Sequence, residues 1–224
     1  MDRVEFRKRI MAANDAAAAA LRPRFEGVGT LVVDVVSSPG AGKTSLLEAT
    51  ARHCAERLRL GAIVGDIATE LDADRLRSAG MPAHQIVTGG ACHLDARMVT
   101  DALDVTDLLP LDMLFIENVG NLVCPASYDL GEDFKVALLS VTEGDDKPFK
   151  YPGIFARASV TLITKTDLLG MAPFDLEKAA QQIQTLNPEA RVIPTSIATG
   201  AGMETWWELL ANELEAKRAS RVTS

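Results

Sequence analysis

Positive charge is in short supply in this chain. Against 31 acidic residues stand 23 lysines and arginines, giving a formal net charge of −8 and a pI near 5.0. That balance argues against a broad nucleic-acid footprint, because phosphate backbones demand clustered Lys and Arg. Long apolar runs are missing too, and none approaches the ~20 residues of a membrane-spanning helix. Arg3, Arg7, Lys8 and Arg9 stand near the start, but no apolar signal core follows them. Cysteine is scarce: Cys54, Cys92 and Cys124 are widely spaced and make no disulfide framework. The expected setting is a reducing cytoplasm, where such cysteines are buried, reactive or metal-binding. Apolar content is ample, at 47% of 224 residues, and favours one domain with a sizeable core.

Residues 1–22 read as a helix, rich in alanine from Ala16 to Ala20 and ended by Pro23. Short apolar runs then alternate with helical ones. Strands are expected at Thr30–Val36, Ala62–Gly65, Gln85–Thr88, Met113–Ile116, Val136–Val141, Val160–Ile163 and around Val192–Ile193. Helices are expected at Thr44–Leu60, Leu71–Ala79, Leu94–Leu103, Leu176–Leu186 and Met203–Ala216. The alternation predicts an α/β fold, a mostly parallel sheet with helices on both faces. Residues 1–26 form an N-terminal helical extension in this reading, and 27–224 the nucleotide-binding domain. In such sheets ligands bind beyond the carboxyl ends of the strands.

Ser37-Ser-Pro-Gly-Ala-Gly-Lys-Thr44 lies between the first strand and a helix, as a phosphate-binding loop requires. Backbone N–H groups of Gly40, Ala41, Gly42, Lys43, Thr44 and Ser45 would wrap a polyphosphate, aided by the helix N-terminus. Lys43 would reach the β- and γ-phosphates and Thr44 would offer its hydroxyl to Mg²⁺. Ser37 stands where the usual motif has its first glycine. Two acids end strands at the same edge. Asp66 would hold Mg²⁺ through water or orient an attacking water. Glu117, closing Leu-Phe-Ile-Glu, has the pattern of the acidic strand that completes a Mg²⁺ site. Thr164-Lys-Thr-Asp167 resembles the Asn-Lys-x-Asp guanine motif, with Thr164 in the Asn position. Asp167 would accept from guanine N1–H and the 2-amino group, while the Lys165 stem packs on the purine. Polar pairing of this kind rejects a mismatched partner by roughly 10⁴ to 10⁵. Ser196 and Ile197 follow the last strand and resemble the second base-contacting loop.

Cys92-His93 and Cys124 both follow strand ends, so they can meet at one edge. Two thiolates and an imidazole suit Zn²⁺ or Ni²⁺. Three ligands leave a tetrahedral site open to water or to ligands from a second subunit. On spacing alone, the default reading is two half-buried cysteines and a loop histidine that serve as packing. Cys54, beside His53, is assigned to the core, and His84 to the surface.

The order of these segments carries a resemblance. Ser-Ser-Pro-Gly-x-Gly-Lys-Thr, Gly65-Asp66, Gly90-Ala-Cys-His-Leu-Asp-Ala96, Glu117-Asn-Val-Gly-Asn-Leu-Val-Cys-Pro125 and Ser140-Val-Thr-Glu-Gly-Asp-Asp-Lys-Pro148 stand in sequence, and from about Leu31 to Leu210 the chain resembles the HypB family of hydrogenase nickel-incorporation GTPases. The resemblance implies a GTP-hydrolysing homodimer that delivers nickel during [NiFe]-hydrogenase maturation. Its implied partners are a HypA-type nickel-binding protein and the hydrogenase large-subunit precursor. It puts Cys92, His93 and Cys124 on the family's nickel or zinc site, Lys43, Asp66 and Glu117 in catalysis, and Thr44, Asp66 and Glu117 around Mg²⁺. Two departures are visible: Thr164 replaces Asn, and the N-terminal Cys-x-x-Cys-Gly-Cys and histidine-rich segments of some members are not found. Arg97 and Arg157 are the candidates for a catalytic arginine. The rival readings are a GTPase chaperone for another metallocentre and a metal-binding dimerisation module with vestigial hydrolysis.

Overall fold

The structure, a computed structural model, describes residues 2–54, 57–67 and 70–222. Seven strands run parallel: β1 Leu31–Ser37, β2 Leu60–Asp66, β3 Ala83–Val87, β4 Met113–Glu117, β5 Phe134–Ser140, β6 Val160–Thr164 and β7 Arg191–Pro194. Their order across the sheet is β3-β2-β4-β1-β5-β6-β7, so all carboxyl ends lie along one edge. The helices are α1 Arg3–Val28, α2 Lys43–Cys54, α3 Leu71–Ser78, α4 Ala96–Asp104, the short α5 Lys147–Lys150 and α6 Pro152–Phe155, α7 Leu176–Leu186 and α8 Met203–Val222. The fold is the α/β, phosphate-loop arrangement expected.

Alternation along β1 divides the core. Leu31, Val33 and Val35 pack with Leu46, Leu76, Trp206 and Leu210 of α2, α3 and α8. Val32 turns to the other face and joins Ala18, Leu21 and Phe25 of α1 and Val99 of α4. Further along that face, Val36, Ala137 and Leu139 meet Phe155 of α6 and Ile183 of α7. Both faces are covered, which is why the central strands read as continuous apolar runs.

Among the boundaries that differ from expectation, two show their physical reason in the packing around them. Pro23 does not end the first helix. α1 continues to Val28 and closes on Gly29, whose left-handed backbone (φ 72°) lets its N–H reach Glu26 and Phe25 carbonyls. Asn14, Ala18, Leu21 and Phe25 form one buried stripe at helical spacing. Keeping Phe25 on that stripe offsets the roughly 3 kcal/mol an interior proline costs. The helix expected at Thr44–Leu60 is observed only to Cys54; positions 55 and 56 of that expectation lie outside the described residues. Leu60 instead starts β2, in register with Met113, and the Asp112 carboxylate accepts from Arg59 N–H at 2.7 Å. Cys54 is buried in the core as expected, at the helix end. His84 is half-buried on the edge strand β3.

A charge lies at the centre of the sheet. Asp34 on β1 is fully buried and pairs with Lys135 of β5, which also meets Glu132 at 3.0 Å. Burial works to lower the Lys135 pKa, but the two carboxylates outweigh it and hold the ammonium above its usual value. Removing one member leaves an uncompensated buried charge. Lys135→Ala is therefore expected to cost roughly 3–5 kcal/mol in urea unfolding. Lys178→Ala, which breaks a solvent-exposed pair with Asp145, should leave the urea midpoint almost unchanged. Equal midpoints for the two variants would contradict this.

Candidate functional site

The phosphate loop folds as its composition dictates. Gly40 and Gly42 have φ of 75° and 104°, a region only glycine enters freely. Ser37, at the departed glycine position, has a structural use. Its hydroxyl donates to the Ser38 carbonyl at 2.6 Å and accepts from Lys43 Nζ at 3.2 Å, holding the lysine along the loop. Thr44 Oγ1 donates to Glu117 Oε1 at 2.7 Å, joining the loop to the end of β4. An open cleft of about 490 Å³ is lined by Gly40, Gly42, Lys43, Thr44, Ser45, Asp66, Glu117 and Lys165. Asp66 accepts from the Ile67 N–H at 2.5 Å at the tip of β2. The acids expected at one edge are together there.

The base-side segment is tied to the same loop. Thr164 Oγ1 donates to the Ala41 carbonyl at 2.7 Å, and Lys165 Nζ to the Gly40 carbonyl at 2.7 Å. Lys165 holds a left-handed backbone (φ 59°), a conformation uncommon outside glycine and concentrated at functional sites. Asp167 accepts from Ser196 Oγ at 2.5 Å, and Thr166 N–H bonds the Thr195 carbonyl at 3.1 Å. Asp167 and Ser196 are thus brought together, with Ile197 partly exposed beside them.

Glu117 is only 2% exposed, and its Oε2 has no hydrogen-bond partner among the described residues. Burial pushes its pKa up to about 7, against the pull of the Lys43 ammonium and the Thr44 hydroxyl. A buried orphan carboxylate oxygen beside a threonine hydroxyl is an all-oxygen donor set, which fits a hard cation such as Mg²⁺.

Ligand atoms of Cys92, His93 and Cys124 lie within 4.8 Å of one another, with Cys92 Sγ 3.6 Å from His93 Nδ1. The Cys124 thiol alongside, together with burial, raises the Cys92 thiol above its usual pKa. Burial lowers His93, which favours the neutral imidazole that metals take. Its ring packs against Tyr128 with centroids 3.9 Å apart.

The two sites share a wall. Asn118, the residue after Glu117, accepts the Leu94 N–H at 3.0 Å, and its amide donates to Asp34 at 3.2 Å. Asn121 donates to the Cys92 carbonyl at 3.3 Å. A Cβ on Gly65 would stand 2.7 Å from Leu94, and one on Gly120 would stand 3.0 Å from Pro39 of the phosphate loop. The two loops therefore touch without slack.

Sequence reasoning missed several of these residues. Arg75 of α3 lines the cleft, donating to Ser45 Oγ at 3.0 Å and to Glu48 at 2.8 Å. Arg97 is exposed on α4, and Arg157 donates to the Gly153 carbonyl; neither lines the cleft. A helical arginine among acids carries no signal for such a placement. Asn14, Asp34 and Lys135 were missed for the same reason, since each acts across a long stretch of chain.

The chain matches the model of the CobW/HypB/UreG nucleotide-binding domain over residues 31–194. It is similar to the hydrogenase maturation factor HypB of Azotobacter vinelandii, 48% identical over 213 residues that cover 95% of this chain and 70% of that protein. Among solved structures it is similar to HypB from Helicobacter pylori in complex with nickel, with a TM-score of 0.86 and 41% identity, covering 93% of this chain and 97% of that one. It is equally similar to the hydrogenase maturation factor HypB from Archaeoglobus fulgidus, with a TM-score of 0.86 and 38% identity, covering 91% and 99%. Among the described residues no helix is long and apolar enough to cross a membrane.

The elevated Glu117 pKa has a consequence for stability. A carboxyl raised in the folded state favours folding at low pH and loses that contribution as pH climbs from about 4.5 to about 7. Glu117→Gln mimics the neutral form and keeps an acceptor for Thr44. Without nucleotide or divalent cation, it should raise the melting temperature by roughly 5 °C at pH 8. The gain should shrink below pH 6, and a pH-independent difference in thermal scans would contradict the assignment.

Proposed function

The chain belongs to the HypB branch of the CobW/HypB/UreG family, and from that premise we propose that it is a GTP-hydrolysing nickel carrier for [NiFe]-hydrogenase maturation, with nucleotide state controlling metal binding and dimerisation. The observation that carries this reading is the wall common to both sites. Thr44 bonds Glu117, and the next residue, Asn118, bonds the backbone two residues beyond Cys92. In this reading residues 1–26 are a helical extension of a GTPase domain spanning 27–224.

Gly40, Ala41, Gly42, Lys43, Thr44 and Ser45 bind the phosphates in this proposal, and Arg75 adds a cation at the mouth of the cleft. Thr44, Asp66 and Glu117 are the residues that would hold Mg²⁺, which supplies charge neutralisation at the transferred phosphoryl group. Asp66 orients the attacking water. Asp167 pairs with guanine while Ser196 and Ile197 close the base loop, and the Thr164 hydroxyl takes over the loop-tying task of asparagine. Cys92, His93 and Cys124 carry nickel, or zinc, as cargo. The nickel-bound Helicobacter pylori relative supports that choice.

Nucleotide bound against Thr44 and Glu117 competes with their mutual hydrogen bond. Moving the end of β4 then moves Asn118 and the segment leading to Cys124. Such a switch requires the nucleotide to bind the two arrangements unequally, by about 5.5 kcal/mol for a near-complete change of population. The proposed partners are a second copy of the chain, a HypA-type protein and the hydrogenase large-subunit precursor, in the cytoplasm.

Nickel affinity measured with GDP and with a non-hydrolysable GTP analogue tests the switch: it should differ between the two states, and identical affinities with identical dimer fractions would remove it. Phosphate release that nickel leaves unchanged and near background would favour a dimerisation module without working hydrolysis. Asp167→Asn should move preference from guanine to xanthine nucleotides. Equal competition by ATP and GTP in the unaltered protein would end the guanine assignment.

A further inference from the structure

Asn14 breaks the pattern of the helix that carries it. It occupies the first position of the buried stripe Asn14, Ala18, Leu21, Phe25, where an apolar residue would normally stand, and is 6% exposed. A polar side chain in such a place must be hydrogen-bonded, and Asn14 uses both ends of its amide. Its Oδ1 accepts the N–H of Ala96 at 2.9 Å, and its Nδ2 donates to the carbonyl of Asp129 at 2.9 Å.

The two backbone groups belong to the two segments that carry the candidate ligands. Ala96 opens α4 three residues after His93, and its N–H is one of the amides a helix start leaves without an internal partner. Asp129 lies five residues after Cys124, next to the Tyr128 ring that packs on His93. One amide thus spans both walls of the seat. Arg22, two turns further along α1, fixes Asp129 again through both carboxylate oxygens at 2.8 Å. The segment from Cys92 to Ala96 is held at three points: the Cys92 carbonyl by Asn121, the Leu94 N–H by Asn118 and the Ala96 N–H by Asn14. The first two come from the strand and loop next to the nucleotide cleft. Asn14 comes from α1 and does not line that cleft.

We propose that Asn14 is a positioning residue for the metal seat, tying the Cys92–His93 segment to the segment that follows Cys124 through bonds that lie outside the nucleotide cleft. The proposal rests on the reading of Cys92, His93 and Cys124 as ligands. Groups that orient ligands from behind typically matter 10- to 100-fold in metal affinity. Asn14→Ala leaves Ala96 N–H and the Asp129 carbonyl without this partner. Asn14→Asp keeps an acceptor for Ala96 and loses the donor for Asp129.

The test is competitive titration of the full chain with Ni²⁺ against a chromophoric chelator, with the thiolate-to-nickel charge-transfer absorption recorded in parallel. Both Asn14 variants should weaken Ni²⁺ binding about 10-fold and alter the absorption band, with guanine nucleotide affinity unchanged. Leu103→Ala, a buried truncation on α4, controls for general loosening and should leave Ni²⁺ affinity as it was. Cys92→Ala reports on the ligand reading itself. Normal binding by either Asn14 variant, with Cys92→Ala defective, overturns the role of Asn14 and leaves the seat standing. Normal binding by Cys92→Ala overturns the ligand reading. An equal loss in Leu103→Ala would reduce Asn14 to ordinary packing and also overturn the proposal.

Discussion

Asp34 sits three residues before the phosphate loop, fully out of solvent, and its carboxylate is shared between a lysine on one neighbouring strand and an asparagine beyond the other. A charge in that position tolerates no vacancy around it. Lys135 neutralises it from β5, and that fixes how β5 enters the sheet. The Asn118 amide donates to it from the end of β4, and that fixes which way the Asn118 oxygen points. The oxygen then takes the N–H groups of Leu94 and Val119. One buried carboxylate thus helps to orient, through Asn118, both loops that bear sulfur ligands. Around the ligands the loops have little regular structure beyond a single 3₁₀ turn at Pro125–Ser127, so such side-chain bonds help to give them shape.

The same economy governs the phosphate side. Ser37 keeps Lys43 in place, Thr164 and Lys165 bond carbonyls of the phosphate loop, and Ser196 bonds Asp167. On the phosphate loop itself these contacts draw on the Gly40 and Ala41 carbonyls and the Ser37 hydroxyl. The Ala41 N–H makes a long 3.4 Å bond to the Ser38 carbonyl, while the first N–H groups of α2 are those a helix start leaves for an anion. Base and phosphate regions are thereby one piece, with Lys165 paying a small backbone strain at the joint.

What could be read from the sequence was chemistry that needs neighbouring residues. The phosphate loop requires Gly, Lys and Thr within a few positions, so its place and its strand–helix context were visible at once. The acids at Asp66 and Glu117 were visible because each closes an apolar run. The nearness of Cys92 and Cys124 was legible through strand-end topology and the family resemblance, not through spacing. Side chains acting across the fold were hidden. Lys135 concealed the start of β5, because a lysine second in a strand looks like a loop until Asp34 is known to face it. Pro23 looked like a stop because local punctuation says nothing of Phe25 being wanted in the core. Asn14 stood before an alanine tract that reads as helix and nothing more, and its partners are 82 and 115 residues away.

The packing of α1 begins only at Asn14. From Val4 to Ile10 every side chain is solvent-exposed, whereas Asn14, Ala18, Leu21 and Phe25 are buried against the sheet and α4. An isolated stretch of two or three turns has little helical stability of its own. The helix is thus two regimes of amide protection joined end to end: a leading portion that exchanges its hydrogens through local fraying, and a trailing portion that exchanges only when the domain opens. The border between them falls at the residue whose amide spans the two sulfur-bearing loops.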